Sequence, residues 1–187
     1  MAPILGIYAS QISGHLFAPS GAYDSIATVT LGSAASSIDL TSIPGTYQHL
    51  QIRFMGAMTA SGPDDLRIQF NADTGNNYAR HYVIGNGSSA SASGTATTSF
   101  GVIGGNTLPT AANTFGVAVI DILDYANTNK YKTMRALAGN DANGSGYVGI
   151  SSTLWQNTNA ITSIKLYPIS STFPQYSTAA IYGIKGA

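Results

Sequence analysis

Along most of the chain, apolar and polar positions alternate with the period of two that half-buried β-strands require. In the run LQIRFM, Leu50, Ile52 and Phe54 point one way while Gln51 and Arg53 point the other. In LRIQF, Leu66, Ile68 and Phe70 alternate with Arg67 and Gln69. The segment between them, GAMTASGPDD, holds Gly62 and Pro63 and reads as a loop joining antiparallel neighbours. Eight further runs rich in β-branched and aromatic residues predict strands at Ser25 to Leu31, Ser37 to Leu40, Tyr78 to Ile84, Phe115 to Leu123, Tyr131 to Leu137, Tyr147 to Leu154, Ile161 to Tyr167 and Ala179 to Ile184. Asn143-Gly144 supplies a tight turn between two of them, because both residues reach positive φ cheaply. FGVAVIDIL is apolar on both alternating sets, which predicts a central strand covered on both faces. GNGSSASASGTATTSFGVIGG, residues 85–105, is built of small residues and reads as a long surface loop with a short edge strand at Ser99 to Ile103. The pattern predicts an all-β fold: an antiparallel β-sandwich of about ten strands, read as a jelly roll.

Composition supports that class. The chain has 187 residues, room for one domain and an arm. It contains 21 Ser, 19 Thr and 21 Gly but no Glu, a poor supply for helix surfaces and a good one for strands and turns. With hydrophobic residues at 44%, a core is affordable despite only 9% charged residues. The eight basic and eight acidic side chains cancel, so the electrostatic footprint of a nucleic-acid binder is missing. Lack of cysteine excludes disulfides and thiolate metal sites. No apolar run approaches the roughly 18 to 20 residues that cross a bilayer, so no membrane partner is expected. Met1 to Ser20 has no basic start and is broken by Gln11, Ser13, Gly14 and His15, which makes a poor signal peptide. These residues, 1–20, are instead read as an N-terminal arm preceding a sandwich domain at 21–187. The arm's Ile4, Leu5, Ile7, Tyr8, Ile12, Leu16 and Phe17 follow no clean period and predict burial on an assembly partner.

Candidate chemistry is sparse. His15, His49 and His81 show no metal-site spacing. Asp64-Asp65 and Asp73 with Asn76 and Asn77 carry oxygens suited to calcium, but they match no EF-hand, and turns use the same residues. Asp121 and Asp124, three apart, face opposite sides of a strand and cannot form an acid/base pair there; Asp124 is read as a strand terminator. GNGSS and GVIGG lack the Lys and the strand-to-helix context of a phosphate loop. No catalytic residue, cofactor or metal is assigned, and the chain is read as a non-enzyme. Trp155, at the end of an alternating run, is read as a core or subunit-interface residue and kept as a candidate ligand contact.

The ordered series YDSIATVTL, SIPGTYQHLQIRF, IQFNADTGNNYARHY, VIDILDYANTNKYKT, LWQNTNAITSIKLYP and IYGIKG resembles a family of small tailed-bacteriophage virion proteins over about Tyr23 to Gly186. Its most distinctive pieces are TYQHLQIR, IDILDYANTNKYKT and AITSIKLYP followed by a closing YGIK. The resemblance implies a β-sandwich structural protein serving as head decoration, minor tail or fibre component, with no catalytic residues to carry over. The expected role is therefore capsid decoration, a cement protein bound across capsid subunits at the virion surface after synthesis in the host cytoplasm. Expected partners are the major capsid protein or other virion proteins and further copies of this chain, a trimer by analogy with three-fold capsid positions. A tail-fibre or receptor-binding module recognising a host-surface glycan, through residues 85–105 and Trp155, is the alternative.

Overall fold

A computed structural model describes residues 21–59 and 64–186. Among the described residues twelve strands fall into two sheets: β1 (Tyr23–Thr30), β2 (Ile38–Leu40), β3 (His49–Gly56), β4 (Asp64–Phe70), β5 (Tyr78–Gly85), β6 (Ala90–Thr98), β7 (Gly101–Leu108), β8 (Gly116–Leu123), β9 (Lys132–Asp141), β10 (Gly146–Trp155), β11 (Ile164–Pro168) and β12 (Thr178–Ile184). The larger sheet runs β1-β12-β3-β8-β9-β10-β5-β6 and the smaller β2-β11-β4-β7. Every strand pairing within them is antiparallel. All ten predicted strands are present, within a few residues of their predicted ends.

The core lies between the sheets. Leu50, Ile52 and Phe54 of β3, Ile120 and Ile122 of β8 and Met134 of β9 meet Leu66, Ile68 and Phe70 of β4 and Ile164 and Leu166 of β11. Alternation alone puts these side chains on one face of each strand, and burial at about 25 cal/mol per Å² holds the two faces together.

Three expectations are corrected. First, LQIRFM and LRIQF are not sheet neighbours: β3 pairs with β12 and β8, whereas β4 pairs with β11 and β7. The connection crosses from one sheet to the other, and alternation cannot reveal that, because both layers present the same pattern to a shared core. Second, residues 85–105 are mostly strand. β6 forms an edge on β5, and β7 is an edge of the small sheet. A ladder needs backbone groups and not large side chains, so serines and alanines suffice where one face is solvated. In β7 the small residues have a further use. Gly104 and Gly105 take positive φ, 74° and 67°, and a Cβ on Gly149 of β10 would collide with the Gly104 carbonyl. The two sheets approach here at backbone contact, and the Ser151 hydroxyl accepts the Gly104 N–H at 3.0 Å.

Third, β8 is central, between β3 and β9, but only one of its faces is covered. Ala118, Ile120 and Ile122 are buried, while Val117, Val119 and Leu123 are exposed. The hairpin turn, by contrast, is as predicted: Asn143 and Gly144 have φ of 57° and 101°, joining β9 to β10. Asp124, at φ 47°, ends β8.

Candidate assembly surface

The side of the large sheet facing away from the core is built by the same alternation, yet two of its rows are largely apolar. Cross-strand register lines up its exposed residues in rows. In one row Ile150 of β10 stands opposite Leu137 of β9 and Val83 of β5, Leu137 opposite Val119 of β8, and Val119 opposite Arg53 of β3. In the next, Val148 stands between Gly139 and Gly85, Gly139 opposite Val117, and Val117 opposite Met55. Exposure reaches 63% for Ile150, 59% for Val148 and 55% for Leu137, values usual for lysines or threonines on a solvated sheet face.

The third row is polar. Gln51 donates to the Asp121 carboxylate at 3.0 Å, Arg135 approaches the same carboxylate at 3.6 Å, and Arg53 donates to the Gln51 carbonyl at 3.4 Å while its guanidinium lies 5.4 Å from the Tyr182 ring. Ser152 and His81 complete the row, the imidazole lying against Gly94 of β6, where any Cβ would collide with it. Between Leu123, Arg135, Ile150, Val83, His81 and Gly94 the face is hollowed by about 990 Å³, with a mostly apolar lining. Smaller hollows lie beside Gly85 and Gly139, where glycines flank Val148 and Leu137.

The residues singled out from sequence are placed differently. The arm residues Ile4, Leu5, Ile7, Tyr8, Ile12, Leu16 and Phe17 lie outside the described residues. Trp155 is 1% exposed; its indole stacks in a cluster with Tyr78 and Phe70, and its Nε1 donates to Asp73 at 2.8 Å. The indole thus lies in the core. Asp73 also accepts from Gly75 and from Asn77. Burial pushes its carboxyl up, but the bonds from Trp155, Asn77 and Gly75 together leave it below the ordinary value of 3.8. Asp64 accepts from the Asp65 and Ile169 N–H groups and Asp65 from Asn106 N–H, so these acids bind backbone. Among the described residues no group of three or more His, Asp or Glu is placed to hold a metal ion.

The motifs that carry the family resemblance converge at one end of the fold. Tyr125, fully buried, donates its hydroxyl to the Pro44 carbonyl and accepts the Tyr47 N–H at 3.4 Å, while its own carbonyl accepts Ile161 N–H at 3.0 Å. TYQHLQIR, IDILDYANTNKYKT and AITSIKLYP are thereby tied through one residue. Gln48 N–H adds the closing YGIK by donating to Ile184 at 2.9 Å. His49 Nδ1 accepts Asp124 N–H at 3.0 Å, with the Asp124 carboxylate 3.5 Å away. Lys130 donates to Asp124, and that bond foremost holds the carboxyl below its ordinary range.

Lys132 is a residue that sequence reasoning passed over. It is 1% exposed, and its ammonium donates to the Lys130 and Thr158 carbonyls at 2.9 and 3.0 Å. Burial, and then the charge of Lys130, hold its pKa below that of an ordinary lysine. Its position at the head of an alternating run, on the buried phase with Met134 and Ala136, was the available signal. Enclosed in this way, the amine clamps two loops and is closed to an outside reactant. No protein-family model matches the chain, and no curated protein is similar enough to it to be matched.

Proposed function

We propose that this chain is a structural protein of a tailed-bacteriophage particle, a decoration protein that cements the capsid by binding across its subunits. The observation that carries this reading is the exposed apolar face of the large sheet. Solvated sheet faces are normally polar, and a cluster of exposed Val, Ile and Leu in adjoining rows marks a contact with other protein. The segments that resemble virion proteins form the hydrogen-bonded end of the same sandwich, joined through Tyr125. The two sheets are further read as a jelly-roll variant, since the chain alternates repeatedly between them along its length. In this reading the sandwich sits on the shell and residues 1–20 engage the capsid protein.

The glycan-binding alternative has weaker support. Of its two candidate elements, Trp155 is in the core, and residues 85–105 offer one aromatic ring, Phe100, which the Arg67 and Arg80 guanidinia cover at 3.6 and 4.7 Å. The test is to mix purified full-length protein with particles that lack it and to sediment them. Saturable co-sedimentation that is lost on deletion of residues 1–18, with the fold retained, is the expected result. Absence of binding to particles, or binding unaffected by the deletion, overturns the reading.

A further inference from the structure

We infer that the outer face of the large sheet is covered by the same face of another copy of this chain. The inference rests on the assembly reading and names the first partner that the face meets.

Size is the first argument. Five strands, β3 to β5 in sheet order, spaced about 4.8 Å apart and about eight residues long, present a footprint of roughly 650 Å². A stable pairing removes about 800 Å² of accessible surface per partner, and a corrugated footprint of this size supplies that.

Relief is the second. Val148, Ile150, Leu137 and Val119 stand up as ridges, while Gly85, Gly139 and Gly94 leave the hollows beside them. Ridges and hollows of matching apolar character thus occur on one surface, which makes it complementary to itself, as a contact between identical faces requires.

Charge is the third. Asp121 is shared by Arg135 and Gln51, and Arg53 is engaged by Gln51 and Tyr182. The face's carboxylate therefore has partners within the face, and its two arginines are the charges that an opposing copy has to accommodate at the margin of the apolar rows. A pair of copies about a two-fold axis is the closed arrangement in which identical faces meet.

Two measurements on the full chain test this. Sedimentation at micromolar concentration is expected to show an oligomer of the native chain, and the variants Leu137→Arg and Ile150→Arg are expected to weaken self-association by roughly a hundredfold or more, because each forces a charge into an apolar contact. Leu137→Thr and Ile150→Thr keep the strand propensity and stand in if the arginine variants fail to fold. The chain has no cysteine, so single-cysteine variants report directly. Leu137→Cys is expected to cross-link between chains on oxidation, whereas Lys165→Cys, exposed on β11 of the small sheet, is not. A native chain that sediments as a monomer, or folded face variants with native mass, overturns the inference. Particle binding measured in parallel separates the two readings: binding by a chain that does not self-associate sinks only this one, and self-association without particle binding sinks only the decoration role.

Discussion

Asp73 shows how a turn residue reaches into the core. Its carboxylate takes the Trp155 indole N–H, which would otherwise be buried without a partner, and also fixes Gly75 and Asn77 in the turn before β5. Asp73→Ala is expected to cost about 1 to 3 kcal/mol, measured by denaturant unfolding, because a buried donor is left unsatisfied. The sign of the pH dependence follows from the lowered carboxyl pKa. The folded state binds the proton less tightly than the unfolded chain, so the stabilisation is complete above the ordinary value of 3.8 and is lost as pH falls through the lowered one. Stability of the native chain should therefore fall more steeply than that of Asp73→Ala in acid, and parallel curves would contradict the assignment. At this scale the sequence was half legible. Asp73 was read as a turn residue and lies in the turn before β5, while Asp64 and Asp65, read the same way, begin β4; the link from Asp73 to Trp155, separated by 82 positions, depends on tertiary placement that no local pattern encodes.

Among elements, β7 and β10 carry the closest approach of the two sheets. Gly149 has the Gly104 backbone where its side chain would be, so Gly149→Ala is expected to destabilise by about 1 to 3 kcal/mol through overpacking, and Gly149→Val by more. Thermal unfolding checks it, and a neutral Gly149→Val would show that the sheets are further apart. On β9 the two faces separate cleanly. Ala136→Leu, on the inner face, should destabilise by a similar amount, while Leu137→Thr, one position on, should change the stability of the isolated chain by less than about 0.5 kcal/mol. Strand positions were legible because alternation and turn chemistry are local. Sheet membership was not. The low-complexity stretch 85–105 was misread because size of side chain was taken as the measure of order, although edge ladders and backbone contact between sheets favour small residues. FGVAVIDIL was misread in the opposite sense: apolar residues on both phases meant one face for the core and one left open, and a single chain cannot distinguish a face covered by its own fold from one covered by another molecule.

The whole molecule combines a closed core, a hydrogen-bonded end where Tyr125 joins three distant segments, and an open apolar face on the larger sheet. Its far-ultraviolet circular dichroism should be dominated by β signal, and helix content near one third, the globular average, would contradict the fold. Tyr125→Phe removes the hydroxyl that serves both Pro44 and Tyr47, and is expected to cost about 1 to 3 kcal/mol without changing oligomeric state, because this end lies apart from the exposed rows. All-β class was readable from alternation and from the absence of Glu, but the exposed apolar face was not, since alternation alone does not say which side of a strand the core covers. The most direct test of the account is image reconstruction of complete particles beside particles that lack this chain. The account predicts added density on the head surface into which two-sheet sandwiches fit, with the larger sheets of neighbouring copies facing one another. Identical heads in the two reconstructions, or density confined to the tail, would contradict it.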